Sequence, residues 1–335
     1  MDVPTIVVAG TSSGVGKTTV AIGLMHTLHR AGVRVQPFKI GPDFLDGMQH
    51  EAACGVASIN LDGWMLGRGA CLAAARLACA ASGAEIAIVE GCMGLHDGRD
   101  GKTDDGSTAQ VAKWLGAPVL LVLDAWNLAR SAAAMVHGYK TFDPDVRLCG
   151  VVFNRVAGSA HGEWIKQAMA SAPTTAAVAV LGCLPSDKQL HVPERLLGLL
   201  PPPPTVGTSS TTDNGAASGR FAALRRLVSD HVDLAALRAM ASTAVVATPI
   251  AVPPASAPPA TPPAPLPPVR IAIARDAAFC FFYHDNLRLL REAGATLLPF
   301  SPTADAALPA GASALYLIGG YPELHAPALA ANSRM

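Results

Sequence analysis

Charge is what this chain has least of. Only 15% of its 335 residues are Asp, Glu, Lys or Arg, and 25 basic residues balance 25 acidic ones. That balance removes the basic surface on which phosphates would be neutralised, so no nucleic-acid partner is expected. Aromatic residues are scarce too, at 5%, and apolar runs such as 117–123 fall far short of the roughly 20 residues a membrane helix needs. Seven cysteines lie scattered with no CxxC pair, which excludes a disulfide framework and fits reduced thiols in a cytoplasmic protein. No His spacing of metal-site type and no Ser-His-Asp arrangement stands out. The chain enters a β-branched run at Thr5, so no secretory leader is expected.

What is there is apolar: half of the residues, enough for a parallel sheet covered on both faces by helices. The length suits two domains. Thr5-Ile6-Val7-Val8 reads as a buried strand, and an apolar-periodic helix should follow over 17–30. Between them stands Gly10-Thr11-Ser12-Ser13-Gly14-Val15-Gly16-Lys17-Thr18-Thr19. A glycine-rich turn between a strand and a helix is the setting of a phosphate-binding P-loop. Its backbone N–H groups converge on phosphate oxygens, and the helix N-terminus adds partial positive charge. Residues 10–19 are therefore the expected nucleotide site, with Lys17 on the β/γ-phosphates and Thr18 on Mg²⁺. Five residues rather than the usual four separate Gly10 from Gly16.

Strand and helix patterns alternate through about residue 185, which predicts a doubly wound, mostly parallel α/β sheet. Expected strands are 5–8, 33–38, 85–90, 119–124, 148–154 and 177–181, with helices at 107–115 and 129–139. The P-loop domain should span 1–200, with a disordered loop at 201–219 and one completing helix at 220–243. A Pro/Ala-rich linker follows at 244–268. A second α/β unit occupies 269–335, with strands at 269–274, 296–300 and 314–318 and a helix at 285–293.

Ligands on such sheets gather at the carboxyl ends of the strands. Asp43, Glu90, Asp97 and Asp124 fall at or just past such ends and should share a cleft with Lys17. Glu90 closes the run Ile86-Ala87-Ile88-Val89, where a P-loop enzyme keeps its Mg²⁺-linked acid. Asp43 and Asp46, in Gly41-Pro42-Asp43-Phe44-Leu45-Asp46, either hold metal or substrate or simply form the turn. The loop 94–108 is long enough to serve a binding site, although Ser107 and Asp105 also make good helix N-caps.

Taken together, the strings at 41–46, 60–65 (Asn-Leu-Asp-Gly-Trp-Met), 90–98 (Glu-Gly-Cys-Met-Gly-Leu-His-Asp-Gly), 107–112, 150–156 and 193–199 resemble the cobyrinic acid a,c-diamide synthase family. The second unit agrees through 274–283, Asn286-Leu287 and Gly319-Gly320-Tyr321-Pro322-Glu323-Leu324-His325. The resemblance implies an ATP-dependent synthetase domain fused to a class I glutamine amidotransferase domain, flavodoxin-like in fold. It implies phosphorylation of the a- and c-acetates of a corrinoid, cobyrinate or hydrogenobyrinate, and displacement of each phosphate by ammonia derived from L-glutamine. ATP and Mg²⁺ are the implied cofactors, with Lys17, Asp43 and Asp97 catalytic, Thr18, Asp43 and Glu90 on the metal, and Asp46, Leu95, His96, Asp97 and Ser107 on the substrate. A homodimer is compatible with it.

Three departures accompany the resemblance. Leu196 stands where the family has His, and His96 where Tyr is commoner. The glutaminase nucleophile, in a Glu-Cys-Gly-Gly segment beyond the Gly-Gly-Tyr-Pro-Glu motif, has no counterpart within 1–335, so these residues are expected to use free ammonia and not glutamine. Cys280, set among Phe279, Phe281 and Phe282 without a glycine elbow, is expected to be structural. A partitioning-type ATPase switch and a dethiobiotin synthetase-like ligase are the competing classes. The first carries Lys where Ser12 stands, and the second has nothing resembling 269–335.

Overall fold

The computed structural model describes residues 3–186, 194–195, 198–199, 214–242 and 269–335. They fall into two compact units, one up to residue 242 and one beginning at 269. Leu196, most of the 201–219 stretch and the 244–268 linker lie outside the described residues.

The first unit is a seven-stranded sheet in the order β3-β2-β4-β1-β5-β6-β7, every neighbouring pair parallel. The strands are β1 (Thr5–Gly10), β2 (Val35–Ile40), β3 (Ile59–Leu61), β4 (Ile86–Glu90), β5 (Val119–Asp124), β6 (Leu148–Val156) and β7 (Ala179–Pro185). The helices are α1 (Lys17–Arg30), α2 (Leu45–Cys54), α3 (Gly63–Ser82), α4 (Thr108–Leu115), α5 (Ser131–Phe142), α6 (Ser159–Ser171), α7 (Asn214–His231) and α8 (Leu234–Ala241). Strand side chains alternate between faces. Val7 and Ala9 of β1 pack into a core with α3 to α6, while Ile6 and Val8 pack into a second core with α1, α2, α7 and α8. Both cores exclude water, and burying each Val, Ile or Leu contributes about 1.5–3 kcal/mol. The doubly wound α/β class read from the alternating pattern is the fold observed.

The single helix expected over 220–243 is corrected to two. α7 already begins at Asn214, inside the stretch expected to be loop, and the chain breaks at Val232–Asp233. There Asp233 donates its backbone N–H to Leu181 O of β7 and accepts from Ala236 N, so it pins a turn and caps α8. α7 lies along α1 so closely that a Cβ on Gly23 would stand 2.5 Å from Val228 Cγ2. His26 of α1 stacks on Phe221, with ring centroids 5.3 Å apart.

The second unit is smaller. A parallel three-stranded sheet places Arg270–Ala274 between Thr296–Phe300 and Ala314–Tyr316. Phe279–Phe281 pairs antiparallel with Gly319–Gly320, and the helices are His284–Glu292 and the short Ala326–Ala331. The last strand of the parallel sheet stops at Tyr316, two residues short of the expected end, before the chain bends into that antiparallel pair.

Candidate active site

β1, the central strand between β4 and β5, delivers the chain to Gly10, and the loop 10–16 closes into the 14-residue helix α1. Gly16 takes a left-handed φ of 98°, and a Cβ there would meet Asn154 Nδ2 at 2.2 Å, so the position requires glycine. Asn154, near the end of β6, donates to Val15 O at 2.9 Å. Arg155 donates to Gly14 O at 2.9 Å and pairs with Asp124 at the end of β5. Two neighbouring strand ends thus hold the loop against a helix N-terminus, a preorganised anion cradle. Lys17 is buried and donates from Nζ to Ser12 O at 2.8 Å, which arches its ammonium over the loop. Burial, and after it the nearby Lys39 charge, lowers the Lys17 pKa below the ordinary lysine value.

Glu90, wholly buried at the end of β4, is the hub of a charged cluster beside the loop. Its Oε1 accepts from Thr18 Oγ1 at 2.5 Å and lies 3.3 Å from Lys39 Nζ. Its Oε2 lies 2.5 Å from His50 Nε2, and His50 Nδ1 lies 3.1 Å from Ser58 Oγ. With Nε2 as donor, Nδ1 accepts from the serine hydroxyl, so the imidazole reserves one carboxylate oxygen and turns the other toward Thr18. Lys39 Nζ also lies 2.6 Å from Asp46 Oδ2 and donates to Gly91 O at 2.9 Å.

One ammonium cannot neutralise two carboxylates equally. Burial alone would raise Glu90, but Lys39, His50 and Thr18 together hold it down at about 2. Burial and the Glu90 charge push Asp46 up to about 6 despite its own Lys39 contact. For Lys39, burial opposes the charge, yet Glu90 and Asp46 raise its pKa above the usual range. Asp46 therefore contributes stability that is complete below the unfolded-state value near 3.8 and lost as pH rises through about 6. Glu90 contributes above its unfolded-state value of 4.5 and loses that contribution as pH falls through about 2, so the two windows separate. Acidification from pH 7 to about 4.5 is thus expected to stabilise the parent chain relative to Asp46→Asn. Urea unfolding of both proteins across that range measures the difference, and parallel pH profiles would contradict it.

The donor set of Thr18 and Glu90, a hydroxyl and an ionised carboxylate, suits a hard cation that keeps waters and phosphate oxygens in its remaining positions. Among the described residues no group of three or more His, Cys, Asp or Glu is arranged to hold a metal unaided.

The other residues singled out from the sequence divide. Asp43 Oδ1 accepts from Asp46 N at 2.8 Å, so that oxygen fixes the turn that opens α2. Asp97 is exposed, and its Oδ2 accepts from Gly94 N at 2.8 Å. Gly94 in turn packs on the P-loop, where its Cβ would lie 3.0 Å from Thr11 O. His96 is half-buried and stacks near Tyr139, whose hydroxyl donates to Thr11 O at 2.6 Å. The His96 Nε2 atom is buried and finds no hydrogen-bond partner among the described residues. Leu95 and Ser107 need correction as substrate contacts, since both are fully buried. Leu95 sits in the core and its amide donates to Gly10 O, while Ser107 caps α4 by accepting from Gln110 N at 3.1 Å. Lys39, His50, Asn154 and Arg155 were not singled out.

Residues 6–197 match a family described as the CobQ/CobB/MinD/ParA nucleotide binding domain. The chain belongs to that family. Residues 270–335 match the CobB/CobQ-like glutamine amidotransferase domain. Relatives of this CobQ/CobB/MinD/ParA-type chain include a protein of Syntrophotalea carbinolica named cobyrinate a,c-diamide synthase, 43% identical over 339 residues. That alignment covers 100% of this chain and 68% of the relative. A Rhodobacter capsulatus protein named hydrogenobyrinate a,c-diamide synthase is 42% identical, with 98% of this chain and 70% of the relative covered. The resemblance drawn from the motifs is borne out. Among solved structures, chloroplast FtsY from Physcomitrella patens is 17% identical, with 67% of this chain and 66% of that chain covered, at a TM-score of 0.40. No described helix is long and apolar enough to cross a membrane.

Proposed function

We propose that the chain is an ATP-dependent ligase of cobalamin biosynthesis that amidates the a- and c-acetates of a corrinoid, cobyrinate or hydrogenobyrinate. The observation that carries this reading is the buried Thr18–Glu90–Lys39 cluster beside the P-loop, in a chain 43% identical from end to end to a relative named for that reaction. A carboxylate is a poor acyl donor because its leaving group would be oxide. Attack of the acetate oxygen on the γ-phosphorus of ATP releases ADP and gives an acyl phosphate. Ammonia then adds to the acyl carbon, phosphate leaves with the bonding pair, and a proton is lost to give the amide.

In this reading residues 10–19 bind the triphosphate, and Lys17 neutralises charge that builds on the transferred phosphoryl group. Mg²⁺ would be held by Thr18 and Glu90 with its waters, and it supplies further neutralisation of the phosphate oxygens. His96 and Asp97, with the acidic turn at Asp43 and Asp46, border the acceptor side. Amide formation from the corrinoid with ATP and ammonium tests the reading directly; no amide, or ATP hydrolysis indifferent to corrinoid, would overturn it. Glu90→Gln is expected to shift the Mg²⁺ dependence of turnover to higher concentration more than it weakens nucleotide binding, because the amide keeps shape but loses charge. An unchanged Mg²⁺ curve would return Glu90 to a structural role.

Cys280 is expected to be structural and not a glutaminase nucleophile. Cys280, the one cysteine of the second unit, is held as a thiol: burial, with Asp276 nearby, pushes it up to about 11. A thiolate nucleophile needs the opposite surroundings. Glutamine-supported amidation that is lost in Cys280→Ser would show that assignment to be wrong.

A further inference from the structure

The turn at the start of α3 exposes three consecutive large apolar side chains. Trp64 is 65% exposed, Met65 60% and Leu66 42%, three neighbours in sequence. They are not a frayed end. Asp62 Oδ1 accepts from Trp64 N at 3.0 Å and from Met65 N at 2.8 Å, and Leu66 N donates to Asp62 O at 3.0 Å. Immediately afterwards Gly67 leaves helical geometry, with φ 70° and ψ 171°, so the turn is capped at one end and cut off from the body of α3 at the other. Fixed apolar clusters that face water mark binding surfaces.

Its place in the fold says what it faces. The turn leaves the carboxyl end of β3, and Asn60 beside it donates to Gly41 O and Asp43 O, tying this end to the acidic turn of the site. A Cβ on Gly106 would lie 3.6 Å from Trp64 Cβ, which brings the loop carrying Asp97 against the tryptophan. Met93, 44% exposed, lies at the start of the same loop. Three strand spacings separate β3 from β1 in the sheet order, about 14 Å. A compact carboxylic acid cannot touch both Trp64 and the P-loop; a broad flat ring with acidic arms can.

Resting on the function proposed above, we infer that the Trp64–Met65–Leu66 turn, with Met93, is the platform for the apolar face of the tetrapyrrole ring. The ring lies over the β3 and β4 ends and its acetates reach toward Lys17. Indole area and thioether side chains supply broad apolar contact, which suits the hydrocarbon skeleton of a macrocycle whose acidic arms are carried at its rim. The phosphate cradle and the ring platform are separate surfaces, so they should be separable by mutation.

The test is equilibrium dialysis of cobyrinate, read by its visible absorbance, against the full chain and three variants, with binding of a fluorescent ATP analogue measured in parallel. Trp64→Ala is expected to weaken cobyrinate binding by at least about tenfold, and Trp64→Phe by no more than about threefold, with nucleotide binding unchanged in both. Trp126→Ala removes another exposed tryptophan, past the end of β5, and should change neither. Equal cobyrinate affinity in Trp64→Ala and the parent chain would overturn the platform and leave the proposed reaction standing. Absence of cobyrinate binding by the parent chain would overturn both. A change in sedimentation on Trp64→Ala at constant cobyrinate affinity would make the turn a contact between copies of the chain, and the inference would fall.

Discussion

Lys17→Ala is expected to lower ATP-dependent turnover by about 10²- to 10⁴-fold without unfolding the protein. The ammonium arches over the P-loop with its tip on Ser12 O, so its loss deletes a positive charge from the phosphate cradle. That charge counts most when negative charge is redistributed in the transition state, so the rate should fall further than nucleotide affinity. The fold should tolerate the change because, among the described residues, Lys17 bridges no buried carboxylate within hydrogen-bond reach, and α1 is held by its apolar face. Single-turnover amidation and thermal unfolding, run side by side, separate the two effects. Amidation at the parental rate would remove Lys17 from the chemistry altogether.

Lys39→Met is expected to have the largest effect on stability. Lys39 lies between Glu90, wholly buried, and Asp46, nearly so, and both carboxylates depend on it. Removing one member of a buried ion cluster leaves charge without compensation, at a cost of about 3–5 kcal/mol. That is a large share of the 5–15 kcal/mol that holds a typical domain together. The distinguishing measurement is a double-mutant cycle. Lys39→Met in a Glu90→Gln background should cost much less than in the parent chain, since the stranded charge is gone. Equal costs in the two backgrounds would mean that Lys39 is held by packing alone.

Much of the fold was legible because apolar periodicity is a strong signal where a sheet is buried on both faces. The strand Val119–Asp124 and the helix Lys17–Arg30 appear with the bounds expected, and β6 runs only two residues past its own. α2 was hidden behind Gly41-Pro42-Asp43, which reads as a turn and is one, and the weak pattern of Leu45–Cys54 did not announce a helix after it. With α2 went His50. The signal for Lys39 was available: in Val35–Ile40 it is the charged residue of a strand buried along its whole length, and such a residue needs an ionic partner. Asn154 and Arg155 were passed over for the opposite reason, since polar residues at a strand end are ordinary until the P-loop backbone is seen resting on them. Leu95 was placed on the substrate by resemblance alone, whereas its backbone pairing with Gly10 draws it into the core.

The packing of α7 on α1 also bears on how the protein is made. The P-loop helix leaves the ribosome well before α7, yet its Val20, Ile22, Leu24 and Leu28 share their core with Phe221, Leu224 and Val228. Until some two hundred further residues have left the ribosome, one side of the nucleotide-binding helix has no cover. Contacts of such sequence separation form late and slowly, because the loop entropy is lost before any burial repays it. A nascent chain paused near residue 200 would therefore carry a nearly complete phosphate cradle on a helix still open to water, and at that length it would be a natural client for a chaperone.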